Sequence, residues 1–306
     1  MTALTEAVRC LALDAAAVAT SAALRERGIE SVLLKGVGLA RRLGVDRRYG
    51  DVDLLVSPAS FEAAQWVIAE WGGRPFVVGA RPDDLPLRYE RTWWLPGPTP
   101  LALDLHQGFA GVGDDDAFWR GLWRTAEEMP LAGGRIAVPD RDHAALLVAL
   151  HAATPASSTR PRADLERALA VFPVEAWRGA ASIAARYDAV EAYALGLRLA
   201  APGAELATVL GLPDGCAPAR WLTAQRAPGT TISLARLAEL PGTPTRLRHV
   251  VRRLAPSPAM IRLTSPLARR GRCGLLLAYA GRLARHAANL PRAVRELRAA
   301  RRATGR

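Results

Sequence analysis

The chain has 306 residues, half of them apolar, which suits two folded domains more readily than one and excludes global disorder. Its formal charge is +12, but residues 246–306 hold sixteen Arg against the single acid Glu296, a local +15, so residues 1–245 sum to −3. No apolar run in the sequence reads as a bilayer crossing. The first residues lack the basic cluster of a secretory signal, and Cys10, Cys216 and Cys273 show no metal-ligand spacing. Together these suggest a cytoplasmic protein.

In chain order, apolar positions Leu4, Val8, Leu11, Ala15, Val18 and Leu24 predict a helix over 3–27, stopped by Gly28. Ile29 to Leu34 predicts a short strand that runs into the turn Lys35-Gly36 and a short helix over 37–43. Asp51 to Val56 alternates as a strand, and Ser57-Pro58 opens a helix over 59–71 that Gly72-Gly73 ends. Strands follow over 75–79, 87–95 and 101–107, the last two joined by Pro96-Gly97-Pro98. A helix over 118–126 and a strand over 135–138 precede a change of character. From Asp140 the pattern is helical, over 140–153, 162–171, 174–186, 188–201, 204–210 and 231–239. Residues 211–230 and 241–245 are rich in Pro and Gly. Two basic helices are expected over 274–288 and 291–302, with Pro291 in a first turn. The expected architecture is an α/β domain with a small mixed sheet over 1–139, then a helical domain over 140–306 with the Arg-rich segment at its end.

Three features carry chemistry. On a strand, Asp51 and Asp53 share one face, while Val52, Leu54 and Val56 share the other. Paired carboxylates on a half-buried sheet repel each other unless a cation lies between them, and a hard divalent ion such as Mg²⁺ suits their oxygens. The second strand repeats the design, with Leu101, Leu103 and Leu105 behind and Ala102, Asp104 and His106 in front. A third carboxylate permits a two-ion site. His106 is expected to orient Asp104, ahead of a general-base role. The third feature is Lys35-Gly36. Lys35 is the sole Lys in a chain whose other basic residues are all Arg, so it marks a place where a compact ammonium is wanted, as against a phosphate.

The order Leu33-Leu-Lys-Gly36, then Arg47-x-x-Gly-Asp51-x-Asp53-Leu-Leu-Val56, then Asp104-Leu-His106 resembles a bacterial nucleotidyltransferase family of the DNA polymerase beta-like superfamily. The resemblance implies a metal-binding Asp pair, a third Asp on a neighbouring strand, and an NTP such as ATP as donor. It makes Asp51, Asp53 and Asp104 the catalytic and metal residues, and Lys35, Gly36, Arg47 and His106 the nucleotide contacts. Where the wider superfamily shows Gly-Ser or Gly-Gly before the Asp pair, this chain has Lys35-Gly36. The acceptor is open among small molecules, peptides and RNA. A toxin-like transferase acting on tRNA and a non-catalytic nucleotide- or nucleic-acid-binding protein are the alternatives. The Arg-rich segment offers a contact to nucleic acid or to a membrane surface.

Four further groups invite a structural reading. Asp114-Asp115-Asp116 suits a solvated loop and helix cap. Asp164 suits a surface helix paired with a nearby Arg. His143 and His151 share a helix without a third metal ligand, and of Trp93 and Trp94 one is expected in the core.

Overall fold

The computed structural model describes residues 3–45, 49–77, 89–97, 99–154 and 160–305. Helix α1 (Ala3–Glu26) leads through Gly28 into strand β1 (Ser31–Leu33) and helix α2 (Val37–Leu43). Strand β2 (Asp51–Val56) is followed by a 3₁₀ turn, Pro58–Ser60, and helix α3 (Phe61–Glu70). Strands β3 (Arg74–Pro75), β4 (Glu90–Leu95) and β5 (Leu101–His106), helix α4 (Asp115–Thr125) and the hairpin of β6 (Glu127–Leu131) and β7 (Gly134–Val138) complete the sheet region. All seven strands form one mixed sheet in the order β3-β4-β5-β2-β1-β7-β6. The β2–β5 and β1–β7 pairs are parallel, and the rest are antiparallel.

The two faces of the sheet are both buried, but differently. Val52, Leu54 and Val56 join Leu33, Leu103 and Leu105 beneath Leu13, Ala17 and Leu24 of α1 and Phe61, Ala64 and Ile68 of α3. Each of these Val, Leu, Ile and Phe side chains contributes roughly 1.5–3 kcal/mol on leaving water. On the other face Val32, Leu55 and Ala137 meet α2, α4 and the helix α5 (Arg141–Ala152). That cluster continues through α6 (Arg160–Val171), α7 (Val174–Arg186), α8 (Val190–Leu197) and α9 (Ala201–Val209). Close packing here requires Gly196, where a Cβ would fall 2.1 Å from the Ala149 carbonyl oxygen.

By chain contacts the molecule has two compact units. The first comprises residues 1–76, 89–152 and 156–212, so helices α5–α9 fall in one unit with the sheet. The second comprises 77–88, 153–155 and 213–306. Its helices are α10 (Pro218–Ala224), α11 (Gly229–Glu239), α12 (Thr243–Leu254), α13 (Pro258–Thr264) and α14 (Gly271–Ala303), with a 3₁₀ turn at Pro266–Arg269. Its small core joins Ala219, Leu222, Ala235, Leu297 and Ala300.

Several sequence expectations change. The two C-terminal helices are one, because Pro291 lies inside α14. An interior proline costs a helix about 3 kcal/mol, but buried Ala278 before it and buried Ala293, Leu297 and Ala300 after it hold both halves in place. Strand β6 was not foreseen. It tolerates Pro130 because it is an edge strand, paired only with β7. Helix α1 contains one stretch, Glu6–Glu26, that by length and composition could cross a bilayer, against the expectation of none. It instead lays Leu13, Ala17 and Leu24 into the sheet.

Candidate active site

Register decides where the carboxylates go. Parallel pairing sets Asp53 beside Asp104 and Asp51 beside Ala102. Neighbours across a sheet point to the same face, so Asp51, Asp53, Asp104 and His106 all lie opposite the α1 side. Strand β4 adds two groups to this face, since Thr92 pairs with Asp104 and Glu90 with His106. Thr92 and Glu90 were missed from the sequence, although the alternation of Glu90-Arg91-Thr92 against buried Trp93 and Leu95 carries the same signal as β5. Trp93 is buried and Trp94 half-exposed, as strand alternation requires.

Asp53 is the centre of the group, and it is 3% exposed. The Leu34 N–H donates to the Asp53 carbonyl at 3.0 Å, which fixes the turn after β1 against β2. That turn delivers Lys35, whose Nζ donates to Asp53 Oδ1 at 2.8 Å. His106 Nε2 donates to the same oxygen at 3.1 Å, and its Nδ1 lies 3.7 Å from Glu90 Oε2. The His106 ring packs against two near-parallel rings, Tyr89 at 6.3 Å and Phe109 at 5.7 Å between centroids, which lie 6.4 Å from each other. His106 thus orients Asp53 rather than Asp104. The Phe109 N–H is held by Asp115 Oδ1 at 3.2 Å over Gly108, where a Cβ would sit 2.1 Å from that oxygen.

The charges interact strongly. Burial alone would raise the Asp53 carboxyl, but the Lys35 ammonium and His106 drive it far below the ordinary carboxylate range. Burial works against the charged Lys35, yet Asp53, with help from Asp51 and Glu90, holds its pKa above the usual lysine value. Asp104 is pushed up by burial and by the Asp53 charge, with Thr92 as its hydrogen-bond partner opposing. Glu90 is likewise raised, first by burial and then by Asp104 and Asp53, with His106 and Lys35 opposing. The face therefore carries more negative charge than Lys35 neutralises.

A hard divalent ion fits this chemistry in part. Asp104 Oδ1 is buried with no hydrogen-bond partner, the kind of oxygen a cation would satisfy. Among the described residues, however, no three His, Cys, Asp or Glu side chains are gathered closely enough to hold a metal, and the Lys35 ammonium takes the cation's place on Asp53.

Gly36 has φ +67° and its carbonyl accepts the Ala40 N–H of α2, a conformation that disfavours any residue with a Cβ. Arg47 lies outside the described residues. Asp164 and His151 prove to be more than surface groups, since both line a mostly apolar pocket with Lys35, Arg42, Phe109 and Leu147. No sequence spacing links α5 and α6 to Lys35, so only the fold could reveal this. The remaining candidates are structural. Asp114 caps α4 by accepting the Ala117 N–H at 2.9 Å. Asp140 caps α5 through the His143 N–H at 2.7 Å and also meets the His143 ring. Burial would raise the Asp140 carboxyl, but His143 and Thr125 bring it down to about 2.

Comparison with curated proteins finds no match. Among solved structures, the antibiotic-resistance factor ANT(2″)-Ia is 17% identical over 57% of this chain and 94% of its own, with a TM-score of 0.40. The same factor in complex with adenylyl-2″-tobramycin is 16% identical over 55% and 94%, at 0.38. An antigenic nucleotidyltransferase-like protein from Paracoccidioides brasiliensis is 11% identical over 57% and 88%, also at 0.38. The model of one sequence family, described as uncharacterised nucleotidyltransferase, matches residues 3–202, about two-thirds of the chain and the whole sheet with its carboxylate face. The chain belongs to that nucleotidyltransferase family.

Proposed function

We propose that the chain transfers a nucleoside monophosphate from an NTP to an acceptor hydroxyl or phosphate and releases pyrophosphate. The acceptor oxygen attacks the α-phosphorus, the bond from that phosphorus to the bridging oxygen breaks, and the acceptor proton passes to a carboxylate. Asp51, Asp53 and Asp104 would hold Mg²⁺, one or two ions, if the ion draws their carboxylates together and displaces the Lys35 ammonium from Asp53; it would offset phosphate charge and favour loss of the acceptor proton. Asp104, whose carboxyl burial and Asp53 push up, would complete the site and help take that proton. Lys35 balances Asp53 and, with the backbone at Gly36, meets the phosphates; Arg47 belongs to the same group by the family pattern. His106 keeps the Asp53 carboxylate in its rotamer. Positioning and charge neutralisation carry most of such catalysis. A reaction that consumes NTP belongs where NTP is supplied, in the cytoplasm. The Arg-rich segment 246–306 suits a phosphate-bearing partner.

The observation that carries this reading is the parallel register that sets Asp53 beside Asp104, with the only Lys of the chain on Asp53. The test is incubation with each labelled NTP, Mg²⁺ and a cell extract, comparing wild type with Asp104→Asn. The expected result is an acceptor labelled by wild type and a fall of at least about a hundredfold in Asp104→Asn, the scale of a lost catalytic proton acceptor. Equal labelling by both proteins refutes the assignment. A Mg²⁺-dependent rise in melting temperature with NTP but no labelled acceptor would instead mark a protein that binds nucleotide without turning it over.

A further inference from the structure

Helix α12 is packed inside out. Its sequence, Thr243-Pro-Thr-Arg-Leu-Arg-His-Val-Val-Arg-Arg-Leu254, has Leu247, Val251 and Leu254 at spacings of four and three, a single stripe on one side. In an ordinary domain that stripe would face the core. Here Leu247 is 63% and Val251 54% exposed, and no residue of the helix is buried. Apart from half-buried Val250, the side turned inward is the polar one. His249 Nε2 meets Ser233 Oγ of α11 at 3.0 Å, and Arg246 Nε donates to the Leu240 carbonyl at 2.9 Å. The Arg253 guanidinium lies so close over Gly229, at the start of α11, that a Cβ there would be 2.7 Å from it. Arg282 of α14 donates to the Arg253 carbonyl at 3.0 Å.

The same habit recurs in the neighbouring elements. On α14, Leu276, Leu283 and Leu290 fall at intervals of seven and therefore on one side, and all three are exposed, Leu276 by 68%. Leu263 of α13 and Leu267 in the following turn are also exposed. The arginines do not cover these leucines. By helical geometry Arg248 lies on the flank of the α12 stripe, and exposed Arg272, one turn before Leu276, lies on the leucine side of α14, whereas Arg285 and Arg292 point to its other side. The segment as a whole has a net charge of +15.

We infer that the outward faces of α12 and α14 dock the second compact unit onto the surface of an anionic lipid bilayer, with the leucine stripes entering the acyl boundary and the arginines meeting lipid phosphates. This gives a specific source to the phosphate-bearing partner proposed above and does not depend on nucleotidyl transfer. Charge complementarity selects the occupant. A strongly cationic face repels a second copy of itself, and a nucleic-acid backbone would use the arginines but leave the leucines in water. An anionic interface takes both. An interfacial helix lies in the plane of the bilayer and does not cross it, which suits α12, a helix of 12 residues.

The test uses the full chain and sedimentation with vesicles of equal parts phosphatidylglycerol and phosphatidylcholine, against vesicles of phosphatidylcholine alone. The expected result is partition onto the anionic vesicles only, weakened but not abolished by raised salt. The double variant Leu247→Glu/Val251→Glu should lower the partition coefficient at least about tenfold, since each stripe residue otherwise gains by leaving water. Leu276→Glu/Leu283→Glu tests α14 in the same way. These side chains are exposed, so the helical circular dichroism and melting temperature of the variants should match wild type. The Mg²⁺–NTP thermal shift should match as well, which keeps failure of this inference separate from failure of the active-site reading. Any of these results overturns it: no partition onto anionic vesicles; partition indifferent to both double variants, which is adhesion by charge alone; or a concentration-dependent dimer, seen by sedimentation velocity, that the leucine variants dissolve. Tight binding of an RNA duplex with no vesicle binding assigns the arginines to nucleic acid and overturns it too.

Discussion

Removing both members of the Lys35–Asp53 pair should cost less than the sum of removing each alone. At 2.8 Å and an effective dielectric near 20, the attraction between the two charges is about 6 kcal/mol before any cost of dehydration is subtracted. The side chains are only 18% and 4% exposed, so that dehydration consumes several kcal/mol per ion and leaves a small net benefit. Asp53→Asn keeps the shape and one acceptor oxygen but leaves a buried ammonium beside His106 without its counter-charge. Lys35→Met leaves a buried carboxylate with only His106. Each single variant should lose about 3–5 kcal/mol, the usual cost of an orphaned buried ion. The double variant should lose at least about 2 kcal/mol less than the sum, because neither charge remains to be orphaned. The assay is urea denaturation of all four proteins at neutral pH without Mg²⁺ or nucleotide, following the transition of the sheet-containing unit. Single effects that add within about 0.5 kcal/mol would show that the two groups do not interact in solution, and the account of the site would fall with them.

Three other expectations are independent of turnover. Gly196→Ala should destabilise by about 3 kcal/mol or more, because the added methyl meets a backbone oxygen at 2.1 Å that cannot swing away; an unchanged melting temperature refutes the close approach of α5 and α8. Asp114→Ala should cost about 1 kcal/mol as a lost helix cap, read by the same denaturation, with Asp114→Ser nearly neutral. The Asp140 carboxyl is held at about 2 in the fold, below its ordinary value of 3.8. The stabilisation it gives is therefore complete above pH 4 or so and is lost as pH falls toward 2, amounting to about 2 kcal/mol at most. Asp140→Asn should flatten that part of the stability–pH curve, and a curve of unchanged slope would rule out the His143 and Thr125 contacts as its cause.

The strands that carry the acids were legible because they combine two independent regularities. In Asp51–Val56 and Leu101–His106, a strict two-residue alternation separates acid from hydrocarbon, and the hydrocarbon side is continuous enough to require burial. Position along the chain said nothing, by contrast, about which strands become neighbours. Parallel pairing of β2 with β5 passes over the whole of α3, β3 and β4, and it is this crossover that brings Asp104 to Asp53. Glu90 and Thr92 were not legible because the adjacent pair Trp93-Trp94 breaks the alternation of polar and apolar residues in that strand. In β6, Pro130 hid a strand that an edge position allows. Helix α12 escaped because the local rule was obeyed but inverted: an amphipathic pattern reads as a buried face, and its apolar side is the solvent side. Asp164 and His151 could not be placed beside Lys35 from sequence at all, since that proximity depends on how α5 and α6 lie over the sheet.

The place of β1 in the sheet bears on how the chain is made. One neighbour, β2, is close in sequence, but the other, β7, pairs Val32 with Ala137 and emerges from the ribosome much later. Until then a short strand that is wholly buried in the finished fold presents an open ladder of amides to whatever is nearby, and closing it requires the ends of a long loop to meet. Translation speed over this stretch, and the availability of a chaperone to shield that edge, should therefore govern the yield of folded protein more than its final stability does.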